Sequence, residues 1–431
     1  MNFKYLIIGG GVAGTSAAES IKTTDPAGSI AIVNDENYVL YSKVMLSKPN
    51  YFLDKIGSEK AFLKTPEWYQ QQGIVFLGGK VATALDPKTK TITLNDGPIR
   101  NEATDSQANQ IFNGASQQIQ YEKLLLALGS TPRKWPVKGA DKAGVFSLRT
   151  IDDYKEIKEG LKTTKSAVIV GGGFIGFEMC DILRTFGLPV TMIIREPHFW
   201  DPILDPISGR MVTEAIDKGG AKVMLNSEVD EVLGTEKVEN VKLKDGTTIP
   251  CDLIIIGIGN FCQMDWLKNS GLEVNRGILA NEYLETNLPD VWTAGDSSEY
   301  SDVILEEKVQ LGNWVNAQVQ GKTAGLNMAG KKIPFKLVSS YNTSGFGINI
   351  AFVGDVGIKP DRIIVERDEP IEKSHVRLLI QYGELVGATA INGMDELTTI
   401  SKLIEKDTKV IGLEPDLANP NFDLKTLLPK T

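Results

Sequence analysis

Two stretches of this chain share one pattern, and the pattern leaves few folds open. The first reads KYLIIGGGVAGTSAAE and closes on SIAIVNDE; the second reads SAVIVGGGFIGFE and closes on PVTMIIRE. In each, a short apolar run that suits a buried parallel strand leads into glycines, a helix and a second strand. The spacing G-x-G-x-x-G falls on Gly9, Gly11 and Gly14, and again on Gly171, Gly173 and Gly176. The first glycine allows a tight turn, the second lets backbone approach a pyrophosphate, and the third lets helix lie on strand. The helix N-terminus then offers unpaired N–H groups and a partial positive charge to that anion. A carboxylate ending the second strand accepts a ribose hydroxyl, and Asp35 and Glu36 stand there in the first unit. One chain with two such units is expected to hold two dinucleotides.

The rest of the chain divides around these units. Strands are expected at 6–8, 30–33, 74–77, 123–128, 167–170, 190–194, 253–259 and 291–296, with helices at 12–21, 152–161 and 314–328 and one from the second glycine loop to Phe186. A hairpin with its turn at Asp86-Pro87 is expected over 81–94. Residues 101–120 are rich in Gln, Asn, Ser and Ala and read as an exposed insertion without catalytic content. Residues 140–150 read as a connector. From about residue 332 short alternating strands (348–353, 363–366, 376–381 and 385–390) precede an amphipathic helix at 394–404, which suggests a smaller α+β domain. The expected fold class is α/β, with two Rossmann-like dinucleotide-binding domains and a C-terminal α+β domain.

Composition excludes several classes of chemistry. The net charge is −9 with no basic block, so nucleic acid is not an expected partner. The three cysteines, Cys180, Cys251 and Cys262, make no C-x-x-C pair, and the two histidines, His198 and His375, lie far apart. A disulfide framework, a metal site and a histidine-based triad therefore have little to stand on. No apolar stretch approaches the roughly 18 residues of a membrane span. The first strand starts within a few residues of Met1, and a cytoplasmic protein is expected.

Five stretches together, GGGVAGTSAAE, YSKVMLSKP, LALGSTPR, GGGFIGFE and VWTAGD followed by NWVNAQVQG, resemble the two-dinucleotide flavoproteins of the ferredoxin- and rubredoxin-reductase type. That group includes the oxidoreductase modules of apoptosis-inducing factor and of the large nitrite reductase subunit. The resemblance covers nearly the whole chain. It implies an FAD domain in two segments, 1–150 and 281–330, an NAD(P)H domain over 151–280, and an interface domain over 331–431. By position it implies that Gly9, Gly11 and Gly14 hold the FAD pyrophosphate and Asp35 or Glu36 the adenosine ribose. Lys43 and Arg133 would contact FAD, Gly295-Asp296 the ribityl chain, and Trp314 the isoalloxazine. Gly171, Gly173, Gly176 and Gly259 would face the nicotinamide nucleotide. Lys48 and Glu178 would approach flavin and nicotinamide as an ion pair, the lysine stabilising charge on the reduced ring and the carboxylate fixing the lysine.

Three departures qualify the resemblance. Residues 38–52 contain no cysteine, which disfavours the thiolate mechanisms of related disulfide and peroxide reductases. The acid that ends the second strand of an NAD unit is replaced by Ile194, followed by Arg195 and Glu196. Arg195 suits the 2′-phosphate of NADPH and Glu196 suits NADH, so both reductants stay open, with a lean to NADPH. The usual Arg-Pro after the GIG strand is Phe261-Cys262, with Cys262 read as a packing residue, and Leu128 replaces a threonine.

The expected function is an NAD(P)H oxidoreductase that passes electrons through FAD to a small iron–sulfur or rubredoxin-type carrier. The alternatives are an NAD(P)H oxidase or quinone reductase acting on a small acceptor, and a slow, redox-responsive flavoprotein. A homodimer is compatible with each.

Overall fold

The apolar runs beside the glycine loops become the central strands of two parallel sheets. In the computed structural model, which describes residues 1–97, 116–369 and 373–429, the chain forms two compact units. One comprises Met1–Ser42, Glu59–Thr131 and Phe261–Leu337, and the other Lys43–Ser58, Pro132–Asn260 and Val338–Thr431.

In the first unit the strand order is Ile74–Leu77, Ile30–Val33, Asn2–Ile8, Gln117–Leu126, with Val291–Thr293 parallel to the last. The hairpin Lys80–Asp86 and Thr91–Asp96 adds antiparallel to Gln117–Leu126. Alternation divides each strand between two cores: Leu6, Ala31, Val33, Leu124 and Leu126 face one, and Tyr5, Ile7, Ile30, Ile32 and Leu125 the other. On this second face the helix Val12–Thr24 lies against the helix Trp314–Met328. Their approach is set by small residues. A Cβ on Gly321 would stand 2.0 Å from the Ala13 carbonyl oxygen, and one on Gly325 would stand 2.4 Å from that of Ala17. Only glycine fits at either position, and the pair fixes the helix that rises from the first glycine loop.

In the second unit five parallel strands run in the order Lys222–Met224, Val190–Ile193, Ala167–Val170, Leu253–Ile256, Val145–Ser147. The helix Phe174–Thr185 follows the second glycine loop, and the helix Ile151–Leu161 begins with a capping box between Thr150 and Asp153. A three-stranded antiparallel sheet of Val229–Leu233, Asn240–Leu243 and Thr248–Pro250 is attached. The C-terminal part is a five-stranded antiparallel sheet in the order Ser340–Gly345, Ile348–Gly354, Glu384–Ile391, Ser374–Gln381, Ile363–Glu369, covered by the helix Leu397–Glu405.

Several expectations need correction. The strand expected at 123–128 spans Gln117–Leu126. Ile119 and Tyr121 alternate inward there, so 117–120 belong to the sheet, and residues 101–115 of the expected insertion lie outside the described residues. The connector at 140–150 contains the strand Val145–Ser147. Elements outside the expectations include the helix Pro206–Lys218, capped by Asp205, the strand Lys222–Met224, the antiparallel strands Val229–Leu233, Asn240–Leu243 and Thr248–Pro250, and the edge strand Ser340–Gly345. Among the described residues no helix is long and apolar enough to cross a membrane.

The C-terminal sheet carries an acid-sensitive joint. Burial pushes the Asp355 carboxyl up, but the Arg362 guanidinium, the Gly357 N–H at 2.8 Å and Lys359 at 3.0 Å outweigh it and hold the group at about 2. A carboxylate held below its unfolded value adds stability above that value and loses it as pH falls towards the folded one. Asp355→Asn is therefore expected to cost about 2 kcal/mol at neutral pH, with the gap to wild type closing between about pH 5 and pH 2. Urea unfolding at a series of pH values measures this, and a gap independent of pH would contradict it.

Candidate functional site

Each glycine loop turns its backbone into a concave cradle, for steric reasons visible in the contacts. Gly9 has φ +112°, and a Cβ there would sit 2.0 Å from the Ala127 carbonyl oxygen. A Cβ on Gly14 would sit 1.9 Å from the Gly9 carbonyl oxygen. Gly11 differs: it caps the helix with φ −71° and ψ −168°, which any residue adopts, and a Cβ there would meet nothing within 4 Å. Packing therefore explains Gly9 and Gly14 and leaves Gly11 unexplained. The open space at Gly11 fits a pyrophosphate brought to the helix N-terminus. The second loop repeats the arrangement. Gly171 (φ +98°) and Gly176 are hemmed in at 2.4 Å and 2.2 Å by the carbonyls of Gly257 and Gly171, while a Cβ on Gly173 would lie 3.6 Å from the Gly257 carbonyl oxygen, an ordinary contact. The residues present fit a dinucleotide at each loop.

Around the first loop, buried Asn34 receives the Gly10 N–H at 2.9 Å and donates to the carbonyls of Glu36 and Tyr38. It fixes the loop to the strand end. Asp35 is exposed; Glu36 is half-buried and accepts from the Tyr41 hydroxyl at 2.5 Å. The Gly295 N–H donates to Gln320 at 2.8 Å, and the Asp296 carboxylate accepts from Ser130 Oγ at 2.7 Å. Gln310 at 2.8 Å and Cys262 Sγ at 3.3 Å both donate to the Asp296 carbonyl. Cys262 is thus half-buried and hydrogen-bonded rather than simple packing. Trp314 is half-buried in the first turn of its helix, which Asn313 caps.

In the second unit Glu178 lies five residues beyond the Gly173 cap, about 7.5 Å up the helix. It is 8% exposed, and three donors reach it. Lys48 Nζ is 2.6 Å and Thr343 Oγ1 2.7 Å from Oε1, and Ser47 Oγ donates to Oε2. Ser47 ends the 3₁₀ turn Lys43–Ser47, in which Lys43 is half-buried. Lys48, Glu178 and Asp181 line a 470 Å³ cleft with Ser47, Pro49 and residues 344–349. The Arg133 N–H donates to the Gly259 carbonyl at 3.0 Å, and the Arg133 side chain is exposed. Arg195, with its side chain 74% exposed, has its Nε 2.7 Å from the Glu196 carboxylate. The two residues that argued for opposite reductants thus engage each other.

Sequence reading did not find Ser47, Thr343, Asn34 or Ser130. Ser47 lies inside YSKVMLSKP, Ser130 inside LALGSTPR and Asn34 inside SIAIVNDE, and each could have been weighed; Thr343 lies in no motif. The buried cysteines are poor nucleophiles, because burial pushes up both the Cys180 thiol and the Cys251 thiol, the latter to about 12.

Substitution separates the two roles of glycine. Gly14→Ala is expected to cost about 3 kcal/mol of stability by overpacking. Gly11→Ala should leave the melting temperature of the nucleotide-free protein unchanged and weaken dinucleotide binding at least about tenfold, a difference of about 1.4 kcal/mol. Thermal unfolding and equilibrium titration read both effects. Unchanged binding in Gly11→Ala would contradict the assignment.

Comparison with known proteins agrees with this geometry. The model of the pyridine nucleotide-disulphide oxidoreductase family matches residues 3–321. The NADH-rubredoxin oxidoreductase of Clostridium acetobutylicum is 27% identical over 407 residues, covering 93% of this chain and 94% of that protein. The ferredoxin–NAD(+) reductase component of the biphenyl dioxygenase system of Paraburkholderia xenovorans is 27% identical over 424 residues, covering 98% and 97%. The chain spans only 48% of the nitrite reductase [NAD(P)H] of Bacillus subtilis, to which it is 25% identical over 410 residues. Among solved structures, the covalent putidaredoxin reductase–putidaredoxin complex superposes with a TM-score of 0.87 at 24% identity, covering 99% of this chain and 97% of that one, and shares the fold. Flavoproteins of the matched family use FAD and NAD(P)H. The chain belongs to the pyridine nucleotide-disulphide oxidoreductase family.

Proposed function

We propose that this protein is an FAD-dependent NAD(P)H oxidoreductase that passes electrons from the nicotinamide through FAD to a small iron–sulfur or rubredoxin-type carrier. FAD would be held by 1–150 with 281–330, the nicotinamide nucleotide by 151–280, and 331–431 would complete the chain. The observation that carries this reading is Glu178: a buried carboxylate, on the helix that rises from the second glycine loop, bound to a lysine that lines a cleft. The relatives named for rubredoxin and ferredoxin reduction support the carrier class. The free cysteines suit a reducing compartment, and we place the protein in the cytoplasm.

When bound, FAD supplies hydride acceptance from the nicotinamide and onward electron transfer. The chain itself binds and positions. The helix N-termini capped by Gly11 and Gly173 would take the two pyrophosphates, with the helix dipoles behind them. Glu36 and Asp35 offer carboxylates to a ribose. The Asp296 carboxylate, oriented by Ser130, would accept from a sugar-chain hydroxyl. By their place in the resemblance, Lys43, Arg133, Gly295 and Trp314 would serve the flavin nucleotide, and Gly259 the nicotinamide nucleotide. Lys48 would offer an ammonium to the nicotinamide, its direction fixed by Glu178. Arg195, engaged by Glu196, is poorly placed to select a 2′-phosphate, which favours acceptance of NADH.

Anaerobic stopped-flow spectroscopy followed by a carrier assay tests this. FAD reduction should be fast with NADH, and turnover should require an added ferredoxin or rubredoxin. Full turnover with oxygen or a quinone alone would favour the small-acceptor enzyme instead. Glu178→Ala is expected to slow FAD reduction by about a hundredfold through misplacement of Lys48, with FAD retained. Loss of FAD with an unchanged rate in the remaining holoenzyme would contradict the role given to Glu178.

A further inference from the structure

The C-terminal sheet lines the cleft with residues 344–349 and reaches Glu178 itself through the hydroxyl of Thr343. Its edge strand Ser340–Gly345 pairs with Ile348–Gly354 through a two-residue turn, Phe346-Gly347, in which both residues have positive φ (51° and 76°). The end of this hairpin is fastened along the second cradle helix at three points. Thr343 Oγ1 is 2.7 Å from Glu178 Oε1, a Cβ on Gly345 would meet the Phe177 ring at 2.9 Å, and the Phe346 N–H donates to Asp181 Oδ1 at 3.0 Å. Thr343 is 2% exposed, so its hydroxyl has no bulk water to turn to. An ionised carboxylate has about four acceptor sites on its two oxygens. At Glu178 one oxygen takes Ser47, and the other is shared by Lys48 and Thr343. The Lys48 side chain is 36% exposed whereas Thr343 is buried, so the more confined donor on that oxygen is Thr343.

We propose that Thr343 is a positioning residue for hydride transfer: it orients the Glu178 carboxylate so that Lys48 is presented to the cleft in one direction. The C-terminal domain thereby becomes a working part of the reductive half-reaction and not only a surface for other proteins. This inference rests on the role given to Glu178 in the proposed function. The nicotinamide cradle itself does not depend on Thr343, since the glycine loop is shaped by Gly171, Gly176 and Gly257. Its loss should therefore act on the rate of reduction and not on nucleotide binding.

The test compares the holoenzyme with Thr343→Val, Thr343→Ser and Glu178→Ala, using anaerobic stopped-flow reduction by NADH over a range of NADH concentrations. Valine keeps the shape and removes the donor; serine keeps the donor and removes the methyl. Thr343→Val should lower the limiting reduction rate by about tenfold, the effect of one lost hydrogen bond to a charged group. The NADH concentration at half-maximal rate and the FAD content should stay as in wild type. Thr343→Ser should recover the rate to within about twofold. A wild-type rate in Thr343→Val, or equal slowing in valine and serine variants, would overturn the proposal. Should the valine variant fail to hold FAD, Thr343→Ala carries the same expectation and the same contradiction. Glu178→Ala separates the two levels of argument. If it is slow while Thr343→Val is normal, only this inference fails; if it is itself normal, the role of Glu178 in the proposed function fails first.

Discussion

The second unit is built around a carboxylate that has been taken out of water. An ionised group at 8% exposure is strongly disfavoured unless donors replace its hydration. Glu178 finds three, from segments far apart in sequence: Ser47 and Lys48 at the end of the 43–47 turn, and Thr343 on the C-terminal edge strand. No local element can satisfy it alone. The turn, the cradle helix and the hairpin are therefore committed to one another, and Phe177, Phe346 and Gly219 pack where they meet. Breaking one partner of such a network costs more than the bond itself, because the remaining charge stays buried.

The glycine loops obey a different constraint, close approach of backbone to backbone. In both copies the first and third glycines are demanded by neighbouring carbonyls within about 2.4 Å of a missing Cβ, while a Cβ on the middle one would meet nothing within 4 Å at Gly11 and only an ordinary contact of 3.6 Å at Gly173. A fold that needed only tight turns would have no use for the middle glycine. Its presence twice, at the start of two helices, is the feature that ties shape to ligand. The same logic governs the contact of Gly321 and Gly325 with Ala13 and Ala17, which braces the first cradle from behind.

Much of this was legible in the residues. The strands Ile30–Val33 and Ala167–Val170 and the helix Trp314–Met328 lie where the pattern puts them, because apolar runs closed by glycine or a polar cap leave few other readings. The edge strand Ser340–Gly345 was illegible: SYNTSG buries only Thr343 fully and shows no alternation of apolar residues. The start of Gln117–Leu126 was misread because glutamines outnumber the two inward residues, Ile119 and Tyr121. The helix Pro206–Lys218 carried a readable start in Asp205-Pro206, which went unused. At the site, Lys48 and Glu178 were found through motifs. Thr343 lies 165 residues from Glu178 and no period or spacing announces it; only tertiary pairing brings it there.

The central claim is that the duplicated cradles hold a resident flavin and a visiting nicotinamide. The most direct measurement is the visible absorbance spectrum of the purified protein, recorded before and after anaerobic addition of NADH. The account predicts a yellow protein with one FAD per chain whose flavin band bleaches on addition. A colourless protein that cannot be reconstituted with FAD, or a flavin band that neither NADH nor NADPH bleaches, would contradict it.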